Sequence, residues 1–528
     1  MKIFQLNNSS SCLLFYSNDK DFIIEKVNEQ QPHIIWFTNV TPEICSILPK
    51  IRPVTQLIVG NVDSILTSVS NIKAFDIIFC SDHELTCHLR NSEITTYFYP
   101  NFFEQDFFQP PNNNQNRIYP ITLIGDLNKI TNEYKQFFEF TSKNNLIQWW
   151  GNSIQTLPDI PFVQNIYNGN ASKRERYSIF YQSRIIINPN IDNNYNNRLF
   201  EAAGCGALLI SENSDYLYKL FEIGKEIIVY RNPKECIDLI RYYQNHHDEA
   251  HIIAKAGQKR TLKDHTFDTR ITKTVELLER HLRYKKEINH TVPINISHSY
   301  KNIHKNQIEK RLTKSWQSEK IPVKQRGLTQ KELNQMYQGK PPIVFQAMKA
   351  AMHPITKPDL SVLEIGCSTG YYYEILEYLL NMQINYTAGD YSFPMIQMAK
   401  DYYPNVSFHV FDGAFLPYAD QSFDIVISSC VLLHTPDYQA QILETARITK
   451  DYIVAHRTPI CKRKATSYFT KYAYDVETVE LKFNENEFIS EFQKNGFDLI
   501  NDITLSENRM ADTYDITYVF KKMCKPYL

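Results

Sequence analysis

The sequence predicts an α/β protein of several domains, each a parallel sheet wound with helices, and three observations predict it. Short apolar runs alternate with polar, helix-competent stretches along most of the chain, as βα units do. Two of those runs, from Ile118 and from Ser361, end in glycine-containing turns that open helices. The chain has 528 residues, too many for one ordinary core, which suggests two to four domains.

Composition bounds the function. Hydrophobic residues at 43% and charged residues at 22% suit globular domains with large cores, and a net charge of −1 argues against a general nucleic-acid binder. Ten cysteines are scattered with no C-x-x-C and no paired His/Cys ligand spacing, which fits thiols in a reducing compartment. The cluster His83, Cys87 and His88 reads as a helix face. The N-terminal stretch lacks the apolar core of a signal peptide, and no run reaches the length of a membrane helix. The expected location is cytoplasmic.

From residue 1 to 110, strands are predicted at His33–Thr38, Gln56–Gly60, Phe75–Ser81 and Thr95–Pro100, forming a first domain. Pro110, Pro111 and the following Asn-rich stretch mark a hinge, and a second domain is expected over 111–282. It opens with I-T-L-I-G-D-L-N-K as strand and turn, then a helix over Glu133–Thr141 and a strand over Leu146–Gly151. A short helix at Tyr177–Ser183 precedes the strand Arg184–Pro189. The stretch N-R-L-F-E-A-A-G-C-G-A-L-L-I-S, Asn197–Ser211, then reads as a helix stopped by Gly204, a turn at Gly206 and a strand. The amides and dipole of that helix N-terminus favour a diphosphate, Arg198 adds a bidentate donor, and Glu201 one turn on suits ribose hydroxyls. Lys129 is a further candidate for the phosphates. Asp19-Lys20-Asp21 could suggest a metal, but it ends no convincing strand.

Residues 283–315 are expected to be a basic linker. From Arg283 to Arg326 eleven Lys or Arg stand against three Glu, a net +8, and this reads either as a solvated linker or as a patch for anionic lipid or a lipid-diphosphate acceptor. A third domain is expected over 316–528, with helices over Trp316–Met352 before its sheet.

That sheet begins with S-V-L-E-I-G-C-S-T-G, Ser361–Gly370. A dinucleotide turn needs a middle glycine so that the backbone can approach a pyrophosphate; Ser368 holds that place, so a ligand without a pyrophosphate is favoured. Asp390 ends a second strand, N-Y-T-A-G-D, where a carboxylate accepts from ribose hydroxyls. Asp412 closes a third, V-S-F-H-V-F-D-G, in place to accept from an adenine amino group. The unbroken apolar run F-D-I-V-I-S-S, Phe423–Ser429, suits a fourth strand covered on both faces.

The ordered series E-I-G-C-S-T-G, G-D-Y-S and F-D-G-A-F-L-P-Y-A-D-Q-S-F-D-I-V-I-S resembles the class I methyltransferases that use S-adenosylmethionine. The resemblance implies a seven-stranded α/β sheet in which Glu364, Gly366, Ser368 and Gly370 hold the methionine end, Asp390 the ribose and Asp412 the adenine, with Tyr391, Gly413 and Ser428 in the same pocket. R-I-I-I-N-P, N-R-L-F-E-A-A-G-C-G-A-L-L-I-S and K-E-I-I-V-Y-R-N-P-K-E-C-I-D-L-I-R-Y-Y resemble the C-terminal domain of group 1 glycosyltransferases of the GT-B type, nearest the spore-maturation branch. That resemblance implies two Rossmann-like domains, a nucleotide-sugar donor contacted by Arg198, Lys129 and Glu201, with Glu201 also the catalytic candidate, and no divalent metal. Many retaining members carry an acid where this chain has Asn193, which leaves the stereochemistry open.

A methyl acceptor also needs a proton acceptor. His434 in C-V-L-L-H-T-P-D and His456 in Y-I-V-A-H-R-T-P both fall at the ligand edge of the sheet and are the candidates. The expectation is a bifunctional enzyme that builds and O-methylates a surface or secreted glycan, with a glycan or lipid-linked glycan as acceptor. Its rival is a methyltransferase whose N-terminal half only binds sugar or docks.

Overall fold

The computed structural model describes residues 2–5, 11–62, 69–108, 117–125, 132–144, 146–151, 163–189, 197–214, 216–287, 300–308, 312 and 314–523. The chain divides into two compact units, Met1–Arg283 and Tyr284–Leu528.

The first unit holds two sheets. The first runs in the order β1 (Lys2–Gln5), β2 (Ser11–Phe15), β3 (Ile34–Phe37), β4 (Leu57–Val62), β5 (Ile77–Cys80), β6 (Thr96–Phe98), parallel throughout except for the β1–β2 pair. Successive side chains leave opposite faces, so Leu13, Phe15, Ile35, Phe37 and Ile58 pack under the helices Lys20–Gln30 and Pro42–Ile51. Leu14, Ile34, Trp36 and Val59 meet Leu278 and Leu282 of the helix Phe267–Glu287 on the other face. Coverage on both sides explains why these strands are apolar without alternation. Asp19, weighed above as a metal ligand, caps the first helix by accepting from the amides of Asp21 and Phe22.

The second sheet is all parallel, in the order β11 (Ile228–Tyr230), β10 (Leu208–Glu212), β9 (Ser183–Asn188), β7 (Tyr119–Ile124), β8 (Gln148–Trp150). The helix Asn197–Gly204 and the turn at Gly206, whose φ is 73°, lead into β10. The stretch 283–315 carries the last turn of the helix Phe267–Glu287 and the strand β12 (Lys301–Ile303).

In the second unit the seven strands run β15 (Ser407–Val410), β14 (Asn385–Asp390), β13 (Ser361–Ile365), β16 (Phe423–Ser429), β17 (Thr449–Cys461), β21 (Thr513–Lys522), β20 (Phe497–Asn508). β21 is antiparallel to β17, and the neighbours from β13 to β17 are parallel. Three further strands widen the sheet to ten: β19 (Val476–Asn484) joins β17, and β18 (Ser467–Ala473) and β12 continue outward antiparallel. The helices around β13 are fastened by one buried carboxylate. Glu374, on the helix Tyr371–Leu380, accepts from the hydroxyls of Tyr284, Tyr337 and Tyr403, and the Arg326 guanidinium donates to Tyr284 (2.8 Å) and Tyr403 (3.0 Å). That network pins the helix Ile321–Tyr337 beside the ligand edge of the sheet.

Candidate functional site

The site in the second unit is built on the turn after β13. Gly366 has φ 73°, and a Cβ there would lie 2.1 Å from Val431 Cγ2, so only glycine fits. The amides of Gly366 and Cys367 donate to Gly389 O at the end of β14 (2.7 and 3.1 Å), tying the two strand ends together. Gly370, φ 78°, starts the helix Tyr371–Leu380. Ser368 is itself left-handed at φ 54°; its hydroxyl donates to Gln325 Oε1 (2.7 Å), and its amide donates to Asp390 Oδ2 (3.1 Å). Asp390 Oδ1 accepts from Ser392 N (2.9 Å). A carboxylate has about four lone-pair positions, so acceptor capacity remains for a ligand. Burial pushes the Asp390 carboxyl up to about 6, against the pull of its amide donors. Glu364, 1% exposed, accepts from the Tyr386 hydroxyl, and burial pushes its carboxyl up to about 8.

These residues open on a cavity of about 1280 Å³ lined at this end by Glu364, Gly366, Ser368, Asp390, Asp412 and Gly413. Asp412 sits in the turn beyond β15, where its Oδ1 accepts from Ala414 N (3.0 Å). Tyr391 also lines the cavity; burial pushes its phenol up, opposed by a hydrogen bond from the backbone of Trp316. Ser428 does not line it. It lies inside β16, 5% exposed, in register with Ile365 and Ala455, so the expectation that it contacts a ligand is corrected.

The two histidines separate. His434 lines the cavity beside the Trp316 ring, with centroids 4.7 Å apart. Its Nδ1 lies 2.8 Å from Val479 O; a carbonyl only accepts, so Nδ1 carries the hydrogen and Nε2 keeps its lone pair. Burial lowers its pKa, which holds the ring neutral at pH 7. His456 is 1% exposed, packed edge-on against Tyr372 with Nδ1 at Thr517 Oγ1 (2.8 Å), and is absent from the cavity wall. Its candidacy as a base is therefore corrected, because alternation along β17 turns it into the sheet's covering layer.

The far wall went unread in the sequence. Arg457, Lys471, Tyr474, Glu480, Lys482 and Asp515 line it, brought there by β18, β19 and the ends of β17 and β21. One signal was present: Pro459 inside β17 marks a departure from regular pairing, and the register with β21 shifts between Ala455 and Thr458.

In the first unit, Arg198 Nη1 donates to Ile124 O (2.5 Å) at the end of β7, lying against Gly125 where any Cβ would collide with it. Glu201 is 1% exposed, and both of its oxygens are occupied: Arg176 Nη2 donates to Oε1 (3.0 Å) and Nε to Oε2 (3.2 Å). Glu201, expected as a catalytic or ribose-binding acid, is thus held in a buried ion pair with Arg176. Lys129 and Asn193 lie outside the described residues.

Residues 120–276 match a family model described as glycosyl transferase-like, and residues 363–452 match one described as a methyltransferase domain. The Campylobacter jejuni ubiquinone/menaquinone biosynthesis C-methyltransferase is 25% identical over 183 residues, covering 30% of this chain and 78% of that protein. A probable tRNA methyltransferase 9B of Bos taurus is 34% identical over 86 residues, 16% of this chain and 17% of that protein. Among solved structures, the 1,6-didemethyltoxoflavin-N1-methyltransferase of Burkholderia thailandensis aligns at 13% identity over 44% of this chain and 99% of that one, with a TM-score of 0.31. Each matched segment falls within one of the two compact units. The chain thus carries a glycosyl transferase-like domain in its first unit and a methyltransferase domain in its second.

Proposed function

We propose that the second unit methylates a hydroxyl of a glycan with S-adenosylmethionine as donor, and that the first unit transfers a sugar from a nucleotide-sugar to the same acceptor. The observation that carries the methyl-transfer reading is the acid-lined turn of the cavity. Gly366 and Gly370, left-handed and closely packed against Val431 and Phe408, fix the turn, and Asp390 beside it keeps acceptor capacity. Those residues fit the donor: Asp390 would take the ribose, Asp412 and Gly413 the adenine, and Glu364, Gly366 and Ser368 the amino-acid end. S-adenosylmethionine would supply an activated methyl group on a sulfonium.

The chain's own work is then alignment and proton removal. Neutral His434 presents Nε2 as the base for the acceptor hydroxyl. Gln325, held by Ser368, and Trp316 bound the cavity on the side of the helix Ile321–Tyr337 and limit water. A glycan or lipid-linked glycan acceptor agrees with the two domains in one chain. Such an acceptor would be met in the cytoplasm or at the inner face of a membrane, where the basic stretch after Arg283 favours anionic lipid. No described helix is long and apolar enough to cross a membrane.

A second reading, in which the first unit only binds sugar or docks, is favoured by the Arg176–Glu201 pair, which engages that buried acid within the fold. Release of free sugar from UDP- or GDP-sugars by the full chain separates the two readings. The main reading is tested by supplying the protein with oligosaccharide acceptors, sugar donor and labelled S-adenosylmethionine, omitting one donor at a time. Label entering the acceptor only when the sugar donor is present supports sequential action; equal labelling without it removes the coupling.

A further inference from the structure

The cavity wall carries both signs of charge. Glu364, Asp390 and Asp412 come from the ends of β13, β14 and the turn beyond β15, whereas Arg457, Lys471 and Lys482 come from β17, β18 and β19, with Glu480 and Asp515 beside them in the lining. Two of those three cations are engaged. Lys471 Nζ lies 3.2 Å from Glu480 Oε1 and 3.2 Å from the Tyr300 hydroxyl, and Lys482 Nζ donates to Thr513 Oγ1 (2.9 Å).

Arg457 is different. Among the described residues its guanidinium makes no ion pair or hydrogen bond, and its Nε is buried without a partner. Asp515, the nearest acid on the facing strand, stays beyond ion-pair distance, although the two influence each other's charge. The backbone that carries Arg457 is costly as well: φ is 56°, at the bulge where β17 and β21 change register. A left-handed non-glycine residue costs on the order of 1 kcal/mol or more. A strained backbone that presents an unpaired guanidinium, with its Nε buried, to a cavity stabilises nothing in the free protein. Beside it the rings of Trp316 and Tyr474, with centroids 5.7 Å apart, offer apolar faces of the kind that C–H-rich ring surfaces cover.

We propose that this wall is the acceptor subsite and that it takes a sugar bearing an oxyanion, a carboxylate or a phosphate ester, which pairs with Arg457. The inference rests on the reading of the acceptor as a glycan. A planar guanidinium matches either oxyanion with two parallel hydrogen bonds, and Lys482 adds charge nearby. Trp316 and Tyr474 then orient the ring, while the acids of the turn repel the oxyanion from the donor end.

The test titrates the full chain, saturated with S-adenosylhomocysteine, with glucuronate, glucose 6-phosphate, glucose and inorganic phosphate, followed by ligand-observed NMR. The expected result is that glucuronate or glucose 6-phosphate binds roughly tenfold or more tightly than glucose. The stronger of the two tells whether the oxyanion is a carboxylate or a phosphate ester. Arg457→Gln should abolish the preference and change affinity for S-adenosylhomocysteine by less than about twofold. Equal binding of both charged sugars and glucose overturns the proposal. A tenfold or larger loss of S-adenosylhomocysteine binding in Arg457→Gln also overturns it, because the guanidinium then serves the donor's own carboxylate. Inorganic phosphate binding as tightly as either charged sugar would overturn the sugar class and with it the glycan reading, while leaving an anion site. Should Arg457→Gln not fold, Lys482→Gln reads the same preference, with a loss of about threefold expected and no loss overturning it.

Discussion

Glu364 in the second unit and Glu201 in the first are buried alike, each 1% exposed, beside the strand ends where the two domains place their candidate ligands. Their partners differ. Glu364 meets a neutral tyrosine hydroxyl and a neighbouring acid, so burial dominates and its carboxyl rises to about 8. Glu201 meets a guanidinium that takes both oxygens. Burial by itself therefore does not make an acid functional: an uncompensated acid is a strained group awaiting a ligand, and a paired one is a fastening.

The largest effect that separates the two is expected at Glu364. Its folded-state value lies above the ordinary 4.5, so the stability it contributes is complete below pH 4.5 and is lost as the pH rises through 8. Glu364→Gln should therefore stabilise the second unit at pH 8 by about 4 kcal/mol and at pH 5 by only about 1 kcal/mol, while weakening donor binding. Unfolding followed by hydrogen exchange, which reports each unit separately, measures this; a gain independent of pH would show that the carboxyl is not raised.

At Glu201 the sign reverses. Glu201→Ala strands Arg176 and should destabilise the first unit by about 3 kcal/mol, and adding Arg176→Met should restore most of the loss. If Glu201→Ala leaves stability intact but removes nucleotide-sugar binding, the carboxylate is a ligand group after all and the contrast with Glu364 collapses.

The contrast also shows how far the residues could be read in order. The strand, turn and helix around Gly366 were legible because the requirement is local: an apolar run, a left-handed glycine and a helix start within about ten positions. The placement of Asp390 and Asp412 followed from the same βα rhythm. The partner of Glu201 was not legible, because Arg176 lies on another helix, 25 residues upstream. The far wall was hidden for a like reason. The stretches Ser467–Ala473 and Val476–Asn484 alternate as a hairpin should, but nothing local says that the hairpin extends the sheet beside β17, and the bulge that turns Arg457 into the cavity is a property of pairing. His456 was misplaced because one residue of register decides which face of β17 it occupies.

Asp390 sharpens the comparison from the ligand side, since it is half-buried on the cavity wall and accepts from backbone amides alone. Asp390→Asn should weaken S-adenosylhomocysteine binding by about 2 kcal/mol, near thirtyfold, and leave the first unit unchanged. Calorimetry on the full chain measures this, and an unaltered affinity would take Asp390 out of the site.

The smallest expected effect concerns acid stability. Burial lowers the pKa of His265 in the first unit and of His434 and His456 in the second, below the ordinary 6.5 in each case. The unfolded chain then takes up those protons first, so the stability that goes with a neutral imidazole is present above pH 6.5 and is lost as the pH falls below it. One such histidine costs about 1 kcal/mol per pH unit, and the first unit should show that slope from pH 6.5 down to 5.5. In the second unit Glu364 and Asp390, raised to about 8 and about 6, bind protons in the folded state over the same range and oppose the histidines. The second unit without ligand should therefore lose less stability than the first between pH 6.5 and 5.5. Glu364→Gln removes one of the opposing protons, and the second unit should then lose more stability over that range than the unaltered chain does. Parallel slopes in the two units of the unaltered chain would show that the acids of the donor turn are not protonated there, and the distinction between strained and paired acids would lose its basis.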